Sequence, residues 1–136
     1  MKQFIVRAFF LYSFLFGNLV QAADLDKGKT ALIRGDYPAA LTELTPLAEQ
    51  GNATAQYYLG VMYKEGQGVA PDDELSHQWL TKSAVNGEAQ AQMMLGMMYH
   101  FGSGVEENMD TARKWYKMAA DQGLEEAQTV LVIIAE

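Results

Sequence analysis

The chain has 136 residues, is 49% apolar and carries a net charge of −7, which fits one folded domain and excludes a disordered polyelectrolyte. That acidic balance repels phosphate, so nucleic acid and anionic membrane surfaces are poor partners. The absence of cysteine excludes disulfides, thiolate catalysis and cysteine-ligated metal.

Residues 1–22 have the layout of a secretory signal peptide. Lys2 and Arg7 form a basic start, an apolar run extends from Ala8 to Val20, and Val20-Gln21-Ala22 supplies the small residues that a signal peptidase reads. The run is short for a membrane span, which needs about 20 residues, and Arg7, Gly17 and Asn18 interrupt it. Cleavage is expected after Ala22, releasing a periplasmic or secreted chain of residues 23–136 with no stable membrane insertion. Lys2 and Arg7 are the only charges of that segment, so the remainder holds 8 basic and 17 acidic residues, a net charge of −9. Such a surface would steer a basic protein partner toward it.

Seven helices follow, expected over 24–34, 37–50, 53–65, 72–86, 89–101, 108–122 and 125–135. The first two are joined at Gly35-Asp36, and Tyr37-Pro38-Ala39-Ala40-Leu41 opens the second, which ends at Gly51. In the third, Ala55, Leu59 and Tyr63 make an i, i+4, i+8 apolar stripe. Gly60 lies inside that helix at a cost of about 1 kcal/mol relative to Ala, which points to a helix crossing too close for a Cβ. Gly66-Gln67-Gly68 then stops the helix. Asp72 is a good N-cap for the fourth, Asp73 and Glu74 suit its positive end, and Trp79 and Ala84 are expected on its buried face before Gly87 ends it.

From there the sequence repeats with an offset of 36. AQYYLGVMYKEGQGV (55–69) returns as AQMMLGMMYHFGSGV (91–105), and Trp79 and Ala84 return as Trp115 and Ala120. Gly51, Gly87 and Gly123 share the offset, as do Ala55, Ala91 and Ala127, then Gln56, Gln92 and Gln128, then Leu59, Leu95 and Leu131. The fifth and sixth helices therefore copy the third and fourth, with Gly96, Gly102-Ser103-Gly104 and Asn108 in the corresponding roles. The seventh is one more first helix with no second after it.

The pattern carried by Ala55, Leu59-Gly60, Tyr63, Gly66, Gly68-Val69, Asp72, Trp79, Ala84 and Gly87 resembles the Sel1-like repeat, a relative of the tetratricopeptide repeat. Ala91, Leu95-Gly96, Tyr99, Gly102, Gly104-Val105, Asn108, Trp115, Ala120 and Gly123 carry it again. The resemblance implies an all-α, right-handed α/α solenoid of about three and a half helix-turn-helix repeats. Its parts are a tetratricopeptide-like unit at 24–50, repeats at 53–87 and 89–123, and a half repeat at 125–136. It also implies a protein-binding role as adaptor, envelope regulator, assembly factor, host-interaction protein or immunity protein against a secreted toxin. Ser76 departs from the family's Ala, seen at 112, and Val132 and Ala135 replace the glycine and tyrosine of the last first helix. Some exported relatives are disulfide-rich and described as binding penicillin, a trait that a chain without cysteine does not inherit.

Two surfaces are candidates for a protein partner. The inner face of the first helices presents Gln56, Tyr57, Val61 and Lys64, then Gln92, Met93, Met97 and His100, then Gln128, Thr129, Val132 and Ile133. The bland alternative is that the glutamines bond between repeats and the methionines are core. The last helix is apolar on all sides through Val130, Leu131, Val132, Ile133 and Ile134, which suits a partner or a second copy in a homodimer. A different class of function, a copper-binding protein, would use Met93, Met97 and His100 on the Met-rich helix 92–101. No catalytic set stands out. The Gly-x-Gly loops follow helices, Ser76 and His77 are adjacent and point apart, and the acidic pairs at helix starts are explained by capping. The expectation is of no enzyme and no cofactor.

Overall fold

The computed structural model describes residue 22 and residues 24–135, so the signal peptide expected at 1–22 falls almost entirely outside the described residues. The described chain forms helices α1 (24–33), α2 (Tyr37–Glu49), α3 (Ala53–Glu65), α4 (Asp73–Val85), α5 (Ala89–Phe101), α6 (Met109–Asp121) and α7 (Glu125–Ile133), with no strand among the described residues. The main packing runs between helices adjacent in sequence, as in a solenoid.

Local chemistry sets the boundaries. Asp36, Asn52, Asp72 and Asn108 accept from the backbone N–H three residues on, at 3.2, 2.9, 2.9 and 2.9 Å. Asp72 and Asn108 do so in extended backbone outside the helix, which is why α4 and α6 start one residue later than the sequence suggests. Their own N–H groups turn back to the Tyr63 and Tyr99 carbonyls at 2.8 Å, closing each hairpin. Between them, Gly66 and Gly102 take left-handed φ of 68° and 66°, the geometry that ends α3 and α5.

Each hairpin crosses closely at a glycine. A Cβ on Gly60 would stand 2.6 Å from Leu80 Cγ, and one on Gly96 would stand 2.5 Å from the Tyr116 ring. Gly28 in α1 meets Leu44 at 2.6 Å in the same way, a crossing that the sequence reading missed. Ser76 is fully buried, and its hydroxyl donates to the Gly60 carbonyl at 2.8 Å, so the departure from alanine ties the two helices at the crossing.

The buried faces of α4 and α6 differ from expectation. Trp79 and Trp115 are only half-buried at the rims of the core, and Lys82 places its ammonium 4.3 Å above the Trp79 ring. Leu80 and Tyr116, one residue on, fill the interior, and Ala119 is fully buried where Ala120 was expected. One core cluster gathers Leu44, Leu47, Leu59 and Met62 from α2 and α3. Another gathers Leu80, Leu95 and Met98 from α4 and α5.

Candidate functional site

Two of the expected inner-face residues are structural. Gln56 and Gln92 are 4% and 2% exposed, so neither is available to a partner. Their amides donate to the Ala48 and Ala84 carbonyls at 3.0 and 3.1 Å. Their oxygens accept from Asn86 and Gln122 at 3.1 and 2.8 Å. Each glutamine thus joins the helix before it to the end of the helix after it. Gln128 makes the equivalent bond to Ala120 at 3.2 Å in an exposed position. Replacing Gln92 with Ala removes its bond to the Ala84 carbonyl, which keeps the Gly87 N–H at 3.0 Å, and takes the acceptor from Gln122; it is expected to cost about 1 kcal/mol in urea unfolding while leaving partner binding intact.

Tyr57 is half-buried against the second core cluster, and burial raises its phenol pKa. Val61 is half-buried. Lys64 is committed to an ion pair with Asp73 at 3.0 Å and to Ser103, which itself donates to Asp73 at 2.8 Å. The Ser103 hydroxyl first, and Lys64 second, hold the Asp73 carboxyl below the ordinary carboxylate range. This cluster pins the α5–α6 loop of one repeat to the start of α4 in the repeat before it. Thr129 is exposed and bonds its own helix at Glu125.

The remaining candidates converge. Met93, Met97 and His100 from the inner face and Val130, Ile133 and Ile134 from the last helix line one apolar groove of about 230 Å³ between α5 and α7, together with Phe101 and Tyr116. The inner face and the last helix, expected as separate surfaces, form one site here. His100 Nδ1 lies 3.2 Å from the Tyr116 hydroxyl, and its ring stacks flat on Phe101 with centroids 4.4 Å apart. Tyr116 is 1% exposed, and burial raises its phenol pKa, keeping it a neutral hydrogen-bonding group. Beside the groove lies a smaller pocket of about 170 Å³ lined by Lys64, Met94, Met97, Met98, Phe101 and Ser103. Met97 and Phe101 stand 44% and 69% exposed on the ridge between the two. Phe101 and Met94 were missed in the sequence, although Phe101 occupies the position of Glu65 in the previous repeat, a change from charge to aromatic surface.

The wall shared by Met93, Met97 and His100 gives no support to copper binding. His100 turns one ring nitrogen, Nδ1, to the Tyr116 hydroxyl at 3.2 Å. Ser76 and His77 engage different partners, the Gly60 carbonyl and the Tyr99 hydroxyl, and burial lowers the His77 pKa.

Paired helices stacked at a fixed register, tied by buried amides and opening on an apolar inner groove, define an α-helical repeat scaffold. The chain belongs to the Sel1 repeat family, whose model matches residues 53–87 and 89–124, more than half of its length. Sel1 repeats serve in general as non-catalytic protein–protein interaction modules. A Sel1 repeat protein from Oxalobacter formigenes is similar at 36% identity and a TM-score of 0.76, over 79% of this chain and 44% of that one. A protective antigen of uropathogenic Escherichia coli strains with an SLR fold is 35% identical at a TM-score of 0.76, over 84% of this chain and 25% of its own. The cysteine-rich protein B of Helicobacter pylori is 25% identical at a TM-score of 0.65, over 68% of this chain and 69% of its own. The chain thus spans less than half the length of the first two. No curated protein matches the sequence.

Proposed function

We propose that this protein is an exported interaction module of the cell envelope, acting as an adaptor, regulator or inhibitor that holds its partner in the α5–α7 groove. The observation that carries the reading is the groove itself, where exposed Met97, Phe101 and Ile133 meet on a nearly all-carbon and sulfur surface. Methionine suits such a surface because its flexible thioether adapts to a partner's shape. Export rests on the basic, apolar and small-residue order of residues 1–22. An inhibitor of a basic toxin is the form of the role that best fits the net charge of the remainder.

The test is cross-linked capture from the native envelope, comparing the protein with its Met97→Glu variant. Met97 is already partly in water, so the substitution is expected to change stability by no more than about 0.5 kcal/mol. A charge on the ridge is expected to weaken the partner about tenfold or more. Equal enrichment of the same partner by both proteins rejects the groove as the docking site.

A further inference from the structure

The repeats act as internal controls for the methionines of α5. Position 97 is Val61 one repeat earlier and Ile133 one repeat later. Position 93 is Tyr57 and Thr129, and position 94 is Tyr58 and Val130. The solenoid thus builds all three positions without sulfur in its other first helices. Position 98 differs, because Met62 repeats it and both side chains are buried in the core clusters. Sulfur that the fold does not require is therefore gathered on the surface of α5, and Met97 lines both pockets beside it.

A thioether differs from the valine and isoleucine of the neighbouring repeats in one reaction above all. Its sulfur lone pair attacks one oxygen of hydrogen peroxide, the S–O bond forms as the O–O bond breaks, and the departing hydroxide leaves as water after proton transfer. Sulfur loses two electrons and the peroxide gains them. A dithiol reverses the change through a sulfoxide-reducing enzyme, releasing water and a disulfide. The chain has no cysteine, so no thiol of its own diverts the oxidant.

Exposure sets the order of attack. Met97 is open to solvent, Met93 and Met94 are half-buried, and Met62 and Met98 are sealed. Met118 on α6 is 45% exposed, almost the same as Met97, yet lines neither pocket. It is a control for oxidation without consequence at the groove.

We propose that Met97 is a reversible oxidation site through which hydrogen peroxide weakens apolar binding at both pockets. The sulfoxide oxygen is a strong hydrogen-bond acceptor that holds water on the ridge, and an apolar ligand must strip that water without replacing its bonds. Because Met97 already reaches solvent, the added oxygen is hydrated in the folded protein and the helix stack is kept. The proposal rests on the interaction role given above and adds its regulation.

The experiment uses the protein recovered from expression of the full chain, with the uncharged apolar dye Nile red as probe. Graded peroxide treatment is followed by peptide mass mapping. Met97 and Met118 are expected to take one oxygen each before the other methionines, with the urea midpoint unchanged. Dye affinity is expected to fall about tenfold once Met97 is converted, the loss for one spoiled anchor, and to return after treatment with methionine sulfoxide reductase and dithiothreitol. Met97→Leu, a swap of similar volume, is expected to keep the dye through the same treatment, whereas Met118→Leu is expected to lose it like the parent.

Slow oxidation of Met97, full dye affinity after its conversion, or equal loss in Met97→Leu would each overturn the proposal. The two readings fail separately. If the unoxidised protein takes up no dye, or Ile133→Glu across the groove leaves uptake unchanged, the groove is not the apolar site and the interaction reading falls as well. If Ile133→Glu removes the dye but conversion of Met97 does not, only the oxidation site is rejected.

Discussion

Replacing Tyr116 with Ala is expected to destabilise the protein by about 3–5 kcal/mol, the range for deleting a large buried aromatic side chain. The ring is almost wholly enclosed, lies on Gly96 with no space between, and forms part of the groove wall. The backbone of α5 cannot collapse into the space, because Gly96 contributes no side chain to follow the retreating ring. The same substitution strands His100, whose Nδ1 loses the hydroxyl at 3.2 Å. Tyr116→Phe keeps the ring and removes only the hydrogen bond, with an expected cost of about 1 kcal/mol. Urea midpoints of the two variants separate packing from polarity, and equal losses would show that the hydroxyl matters more than the ring.

Gly96→Val is expected to cost about 3 kcal/mol, at the top of the usual range for overpacking. A valine normally stabilises a helix interior relative to glycine, so helix propensity alone predicts the opposite sign. The crossing reverses it, since the new Cβ would fall 2.5 Å from two ring carbons of Tyr116. An aromatic ring cannot fold away as a leucine can, so Gly96 is expected to be less tolerant than Gly60, which faces Leu80. Thermal unfolding of matched Gly60→Ala and Gly96→Ala variants checks that order.

Much of the fold was legible because its signals are local. Asp72 and Asn108 cap helices through bonds that span three residues, and helix-stopping glycines need nothing beyond their own φ. The glycine crossings could be inferred at positions 60 and 96, where the repeats agree. Gly28 escaped because its unit has a different length. The error at Trp79 and Trp115 has a related cause. The residue that fills the interior is Leu in one repeat and Tyr in the next, so comparing repeats drew attention to the invariant tryptophan beside it.

The site was legible in its parts but not as a whole. A helical wheel places Met93, Met97 and His100 on one face, yet cannot say that α7 brings Val130, Ile133 and Ile134 against that face. It also placed Gln56 and Gln92 on the inner surface, and the structure bears out the alternative, that they bond between repeats. Their identity in every copy was the available clue, because a residue repeated in all units is held by what all units share, the junction with the helix before. Phe101 and Met97, which differ between copies, mark the surface that is particular to this chain.

The amide ties bear on motion as well as on packing. In the inner repeats each glutamine is sealed from water, whereas the Gln128 bond to Ala120 lies in solvent, where water competes for both ends. Val132, 68% exposed at the position that is glycine in α3 and α5, adds no second anchor on that side. The helix α7 can therefore loosen by itself, and its backbone amides should exchange with solvent through small openings while those of α3 to α6 exchange only when the stack comes apart. Because α7 is one wall of the groove, a bound partner would quiet that wall first. Occupancy of the site would then be recorded in the slowed amide exchange of the nine residues of α7.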